Sequence, residues 1–149
     1  MLIRRAAASI EHELERFGGE LDVQVAPGMP QVAGDAVALE RAMRNLLDNA
    51  ARHGAAGKWI GVTARPEGGT IEIRVRDRGP GIALQDMPRI FEPFYCGEAS
   101  RRNQVRGTGL GLSLVKETVE AHGGTVKAGN MRSGGAEFVV SLPAVPRTA

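Results

Sequence analysis

Two asparagines one helical turn apart, Asn45 and Asn49, lie in a segment whose apolar residues recur with helical spacing. A carboxamide oxygen can hold Mg²⁺ without adding negative charge beside a phosphate, and the amide nitrogen can donate to phosphate oxygens. Arg41, Arg52 and His53 fall on the same stripe at 100° per residue, and Arg52 could add a cation. The pattern fits a metal- and phosphate-binding face, and it fits an ordinary solvated helix face equally well.

An acidic residue, Asp77, ends the predicted strand "IEIRVR" and opens the turn "DRGPGI". Asp, Gly and Pro form turns without any ligand, and on these residues alone the turn interpretation is preferred. The functional alternative is that the carboxylate accepts a hydrogen bond from an exocyclic amine such as that of adenine. Gly79 and Gly81 would then let the backbone lie against the flat base.

Glycine occupies every second position from Gly107 to Gly111, directly before a predicted helix. Glycine is a poor helix former, so its use here indicates close approach of a ligand to bare backbone. Thr108 can cap the helix, whose first free N–H groups form an anion site. No G-x-x-x-x-G-K-[ST] is present, and the glycines follow a polar loop rather than a strand, so two well-known phosphate loops are excluded. A hinge between loop and helix is compatible with phosphate binding.

The composition is that of a globular domain with a hydrophobic core. The chain has 149 residues, 42% of them hydrophobic, and its one cysteine rules out an internal disulfide. A net charge of +2 and few aromatic residues argue against nucleic acid as a partner. No apolar run approaches membrane-spanning length, and the N-terminus "MLIRRAAASIEHELERF" is too charged for a signal peptide. We therefore expect a cytoplasmic domain without membrane contact of its own.

Hydrophobic periodicity predicts helices and mostly antiparallel strands in one domain over residues 1–149, without repeats or a linker. This mixture implies an α/β (α+β) two-layer sandwich with helices packed on one face of the sheet. The predicted elements are helices over 3–17 and 36–53, a short helical piece over 83–90, a helix ending at residue 122, strands over 21–25, 60–64, 71–75, 125–128 and 136–142, and a tail over 143–149.

The three sites occur in a fixed order, with "RIFEPFY" between the last two. Together they resemble the ATP-binding catalytic (HATPase_c) domain of bacterial two-component sensor histidine kinases, in the GHKL superfamily. The segment "RNLLDNAARH" is similar to the N box of that family, "DRGPGI" to its G1 box, "IFEPFY" to its F box and "GTGLGL" to its G2 box. The resemblance runs from about Leu2 to Pro143. It implies the Bergerat fold, a mixed and mostly antiparallel sheet with helices on one face, and a mobile lid over about 96–106.

The resemblance implies ATP and Mg²⁺ as ligands and transfers a role to each matching residue. Asn49 would bind Mg²⁺, with Asn45 beside it on the metal or the phosphates. Asp77 would hold the adenine amine. Asn45 and Arg52 are the implied catalytic residues. The implied nucleotide-binding residues are Asn45, Asn49, Arg52, His53, Asp77, Gly79, Gly81, Ile82, Arg106, Gly107, Thr108, Gly109, Leu110, Gly111 and Leu112.

Asn45 distinguishes among members of the superfamily. In its ATP-hydrolysing clamps and serine kinases this position is typically a glutamate, whereas an asparagine cannot act as a general base at pH 7. The residue therefore favours a kinase whose acceptor is a histidine. The expected partners are the dimerisation and phosphotransfer domain of the same kinase, absent from this chain, and a response regulator. The alternatives are a nucleotide-dependent regulatory module with little phosphotransfer and, ranked below it, an ATPase clamp.

Four residues depart from the family pattern or lie outside it. Cys96 stands where the family often has an arginine, and Ala136 stands where it often has a threonine. Each departure puts the rate of phosphoryl transfer or the affinity for the nucleotide in question. His12 does not fit the phosphoacceptor motif and is expected on a helix surface, so the fragment should not phosphorylate itself. His122 is expected to act as a cation near the C-terminus of a helix.

Overall fold

The computed structural model describes residues 2–16, 18–54, 58–93 and 111–145, which form three α-helices, a 3-10 helix and five strands. The helices are α1 (Leu2–Arg16), α2 (Ala36–Gly54) and α3 (Gly111–Ala121), and the 3-10 helix is Met87–Arg89. The strands are β1 (Glu20–Val25), β2 (Trp59–Glu67), β3 (Thr70–Asp77), β4 (Thr125–Asn130) and β5 (Ala136–Pro143).

The five strands form one open sheet in the order β1-β2-β3-β5-β4. Strand β1 pairs in parallel with β2, and the other three pairings are antiparallel. The helices pack against each other and against the sheet, with α2 contacting the central strands β2, β3 and β5. The prediction of a mixed, mostly antiparallel sheet with helices on one face is confirmed.

The core lies between the sheet and the helices because side chains alternate in every central strand. In β3 each second residue is buried, and β5 shows the same alternation. The buried apolar residues of the sheet are Ile60, Val62, Ala64, Ile71, Ile73, Val75, Ala136, Phe138, Val140 and Leu142. Those of the helices are Ile3, Ala6, Ala7, Leu39, Ala42, Met43, Leu46, Leu47, Ala50, Val115 and Val119. Burial of these faces from water is the main stabilising term for the two layers.

Helix α2 begins at a side-chain cap. The Asp35 carboxylate Oδ1 accepts hydrogen bonds from the backbone N–H groups of Val37 at 3.0 Å and Ala38 at 3.1 Å. Such a cap satisfies donors that have no partner inside the helix, and its loss costs about 1 kcal/mol. The helix ends at Gly54. The helix predicted over 36–53 is therefore present, with its start fixed by Asp35.

The structure corrects three local predictions. The short helical piece predicted over 83–90 is one turn of 3-10 helix, Met87–Arg89, preceded by the turn hydrogen bond from Asp86 N to Ala83 O at 2.9 Å. Pro88 lacks an N–H and cannot extend an α-helical ladder. The tail predicted from residue 143 is paired at its start, since Pro143 faces Thr70 in the sheet and the following residue bridges to Val32.

The third correction concerns His122. Its Nε2 accepts a hydrogen bond from the backbone N–H of Asp35 at 3.0 Å, and its Nδ1 lies 2.7 Å from the carbonyl oxygen of Thr118. Nε2 must be unprotonated to accept, and Nδ1 must carry the hydrogen to donate to a carbonyl. His122 is therefore a neutral link between the start of α2 and the end of α3, and the prediction that it acts as a cation is wrong.

Candidate functional site

Asp77 is the last residue of β3, and the strand alternation turns its side chain towards the buried side of the sheet, where it is 4% exposed. Its Oδ1 accepts hydrogen bonds from the backbone N–H groups of Gly79 at 2.9 Å and Ala136 at 3.2 Å. Both described contacts of the carboxylate end on Oδ1, which leaves Oδ2 for a donor from outside the described chain.

The turn after Asp77 lies against the hairpin between β4 and β5. Gly135 has a φ of +94°, and a Cβ added to it would lie 2.0 Å from the carbonyl oxygen of Asp77. Any larger residue would push the hairpin away from the carboxylate, because the Asp77 carbonyl belongs to the backbone and cannot rotate aside. Ala136, which stands where the family often has a threonine, lies beside this site and donates its N–H to Asp77.

The far end of the same turn is held by Asn130, a residue that sequence reasoning missed. Its Oδ1 accepts from the N–H of Ile82 at 2.7 Å, and its Nδ2 donates to the carbonyl oxygen of Ile82 at 2.8 Å. Gly81, beside it, has a φ of +82°, which an L side chain rarely adopts. In the sequence, Asn130 precedes a glycine-containing hairpin and is indistinguishable from an ordinary turn residue.

The polar stripe of α2 is where the spacing predicted it. Asn45 and Asn49 are half-buried, whereas Arg41 and Arg52 are exposed. His53 lies on the last turn of α2, and the structure does not describe its side chain. The helix contacts both β3, which ends in Asp77, and α3, which starts at the glycine stretch. The two asparagines therefore lie on an element that packs between the other two predicted parts of the site.

Gly111 is the first described residue of α3. A Cβ added to it would meet no described atom within 4 Å, so packing of the described residues does not require glycine there. Leu112, next to it, is partly buried against the core. The remaining predicted residues of this stretch, Arg106, Gly107, Thr108, Gly109 and Leu110, lie outside the described residues, as do Cys96 and the predicted lid over 96–106.

A cation beside Asp77 contacts an aromatic ring. The guanidinium carbon of Arg78 lies 4.2 Å from the ring centroid of Trp59. The ring also covers Gly61, where an added Cβ would lie 2.3 Å from Trp59 Cη2. A cation–π contact at an exposed position is worth about 0.5–1 kcal/mol. It fixes the chain as it leaves β3, next to the carboxylate.

The described residues lack two features. No group of three or more His, Cys, Asp or Glu side chains that could hold a metal ion occurs within 2–16, 18–54, 58–93 and 111–145. Over the same ranges, no helix combines the length and apolar character needed to cross a bilayer.

Comparison with known proteins agrees with this geometry. Residues 34–146 match the family described as histidine kinase-, DNA gyrase B-, and HSP90-like ATPase. The sensor-like histidine kinase SenX3 of Mycobacterium tuberculosis is 36% identical over 135 residues, which are 90% of this chain and 33% of SenX3. The chain thus spans about a third of the length of that relative.

Solved structures of histidine kinases share the fold. The mycobacterial sensor histidine kinase MprB superposes with a TM-score of 0.82 at 32% identity, covering 98% of this chain and 94% of that one. Full-length ShkA, solved in complex with AMPPNP, gives a TM-score of 0.83 at 31% identity, covering 99% of this chain and 30% of ShkA. The chain belongs to the ATP-binding catalytic domains of bacterial two-component sensor histidine kinases, in the GHKL superfamily.

Proposed function

We propose that this chain binds Mg·ATP and donates the γ-phosphate to a histidine on a separate dimerisation domain. The observation that carries the proposal is the buried carboxylate of Asp77, whose neighbours in the described part of the chain donate to Oδ1 and not to Oδ2. A carboxylate withdrawn from water has a strong demand for hydrogen-bond donors. The amino group of adenine would supply one to Oδ2, and the site would thereby select adenine.

The turn beyond Asp77 would form one wall of the base site. Gly79 donates its N–H to the carboxylate, and Ile82, next to Gly81, is held by two hydrogen bonds to Asn130, so the wall exists before any ligand arrives. A preformed wall lowers the entropic cost of binding a flat base. Gly79 and Gly81 carry no side chain that could displace the ring.

The triphosphate would lie between α2 and the N-terminal end of α3. Gly111 offers open space at the start of a helix, where free N–H groups and the helix dipole favour an anion. We assign Gly107, Thr108, Gly109, Leu110 and Leu112 to the same phosphate site, together with Arg106. Asn49 and Asn45 would hold Mg²⁺ through their carboxamide oxygens, and phosphate oxygens would complete the shell. Arg52 and His53 would face the phosphates from the last turn of α2.

The catalytic work of the chain would be positioning and charge neutralisation. In the transfer, an imidazole nitrogen of the acceptor bonds to the γ-phosphorus while the bond to the bridging oxygen breaks and ADP leaves. Asn45 would donate to the phosphate oxygens, because a carboxamide cannot accept a proton from an attacking group at pH 7. Arg52 would offset the charge that accumulates on the transferring group.

The whole protein would contain further parts that act with this domain. The acceptor histidine belongs to its dimerisation and phosphotransfer domain, and a response regulator would receive the phosphoryl group. The proposed reaction consumes intracellular ATP, so the domain would lie in the cytoplasm.

The test is phosphotransfer from γ-labelled ATP to a separately supplied dimerisation domain. We expect acid-labile label on its histidine when both domains and Mg²⁺ are present, and no label on the catalytic chain alone. Tight nucleotide binding without labelled acceptor would instead identify a regulatory module. Release of ADP in the absence of any acceptor would identify a hydrolytic clamp.

A further inference from the structure

The side chain of Asn130 makes two hydrogen bonds to the backbone of a single residue, Ile82, which lies 48 positions away in the sequence. Its carboxamide accepts from the N–H of Ile82 and donates to the C=O of the same residue, at 2.7 and 2.8 Å. A carboxamide is the one side-chain group, shared by Asn and Gln, that carries a donor and an acceptor in one plane like a peptide. Asn130 thus acts on Ile82 as an additional backbone strand would.

The contact is tight enough to restrict its neighbour. A Cβ on Gly81 would lie 2.7 Å from Asn130 Oδ1, closer than non-bonded carbon and oxygen atoms approach. The side chain of Ile82 packs against the core on the other side of the turn. Ile82 is therefore held both through its backbone and through its side chain.

Asn130 also connects this turn to Asp77. It is the last residue of β4 and pairs with Ala136, the residue whose N–H donates to Asp77 Oδ1. The hairpin thus fixes the start of the turn at the carboxylate and its end at Ile82. The separation between these two fixed points is the width available to a ligand that contacts both.

We propose that Asn130 is a positioning residue for the nucleotide base, and this inference rests on the proposed function. By holding Ile82, it sets the spacing between the Gly81–Ile82 wall and the free oxygen of Asp77, so that a bound adenine meets both at once. Asn130 has no contact with the phosphate part of the site among the described residues. Its effect should therefore fall on recognition of the base and leave the Mg²⁺-dependent part of binding unchanged.

The test compares Asn130→Asp and Asn130→Ala with the unmodified chain by calorimetric titration of ATP and GTP, with and without Mg²⁺. Aspartate has the same shape but cannot donate to the Ile82 carbonyl and repels it. We expect ATP affinity to fall about tenfold in Asn130→Asp, and the preference for ATP over GTP to fall with it. The ratio of ATP affinities with and without Mg²⁺ should not change.

The control is Lys127→Ala, an exposed position on the same strand, which should bind ATP as the unmodified chain does. Unchanged ATP affinity in both Asn130 variants would overturn the inference. A purely structural contact would lower three quantities together: the ATP affinity, the ratio of ATP affinities with and without Mg²⁺, and the midpoint of unfolding. That result would also overturn the inference. If the unmodified chain itself fails to bind ATP, the proposed function fails instead.

Discussion

Asp77 and Ala136 are joined across the ends of β3 and β5 by a hydrogen bond of 3.2 Å from the alanine N–H to the carboxylate Oδ1. Gly79 donates to the same oxygen at 2.9 Å. Among the described residues, two backbone donors thus satisfy one oxygen of a buried acid, and neither of them contacts the other oxygen. Oδ1 therefore stabilises the fold, whereas Oδ2 would bind a ligand.

The substitution Asp77→Asn tests that separation. A carboxamide oxygen can take the place of Oδ1 and keep both backbone hydrogen bonds, whereas its NH₂ group replaces Oδ2 and would face the adenine amine donor to donor. We expect ATP binding to weaken about tenfold to a hundredfold, since a hydrogen bond to a charged group is worth roughly 1.5–3 kcal/mol. Calorimetric titration measures the affinity. An Asn variant that binds ATP normally would contradict the assignment of Oδ2 to the base.

His122 and Gly34 form a second pair whose coupling can be measured. A Cβ on Gly34, which has a φ of +130°, would lie 2.1 Å from the His122 ring. We expect Gly34→Ala and His122→Ala each to lower the free energy of unfolding, the histidine variant by about 0.5–1.5 kcal/mol because the Asp35 N–H loses its acceptor. In the double variant the alanine at 34 has no ring to displace, so the loss should be less than the sum. Urea unfolding measures all three, and strictly additive losses would contradict the described packing.

Much of this fold is predictable from local patterns. The alternation of Ile71, Ile73 and Val75 and the helical spacing of Leu46 and Leu47 predicted the faces that are buried. Each pattern lies within one helix or strand, and hydrophobic periodicity is the main signal of which face of that element is buried. The polar stripe of α2 follows from the same argument, because it is the side of the helix that the core does not use.

Contacts between distant segments were not predictable in this way. Asn130 meets Ile82 across 48 positions, and His122 meets Asp35 across 87. In the sequence, one resembles a turn residue and the other a polar residue at the end of a helix. Which backbone groups they satisfy depends on strand order and on helix packing, and neither is encoded in the neighbouring residues.

The open face of the sheet carries a ladder of ion pairs that predicts a pH effect. Arg74 Nε lies 2.6 Å from Glu72 Oε1, and Arg65 contacts the same carboxylate at 3.2 Å. The hydrogen bond from Arg74, aided by both positive charges, lowers the pKa of Glu72 below its ordinary value of 4.5. A carboxyl whose pKa is lower in the folded state stabilises the fold above the unfolded-state pKa and loses that contribution as pH falls through the folded value.

We therefore expect the free energy of unfolding to decline on acidification below about pH 4.5. The free energy of unfolding of Glu72→Gln should decline less over the same range. At neutral pH the variant should be less stable by about 0.5–1 kcal/mol, since the ladder is partly exposed. Urea unfolding at a series of pH values measures both effects. Parallel stability profiles for the two proteins would show that Glu72 does not contribute to the acid response. Glu67→Gln is the matched control, because that carboxylate is more exposed and contacts only Arg65, at 3.5 Å.

Glycine at position 111 is not explained by the packing of the described residues. The residue begins α3, an added Cβ would meet no described atom within 4 Å, and the helix would gain from a side chain there. Glycine costs roughly 0.5–1 kcal/mol relative to alanine in the interior of a helix, and less at its first position. A residue that lowers stability without a packing reason is consistent with a backbone that a ligand must approach closely.

The substitution Gly111→Ala should therefore move stability and binding in opposite directions. We expect the free energy of unfolding to rise by at most about a few tenths of a kcal/mol through helix propensity, while ATP affinity falls about tenfold because a methyl group enters the phosphate space. Thermal unfolding and calorimetric titration measure the two quantities. Gly129→Ala is the matched control, since Gly129 also has open space around its missing Cβ but lies in β4, and its ATP affinity should not change. Equal ATP affinity in Gly111→Ala and the unmodified chain would remove α3 from the proposed phosphate site.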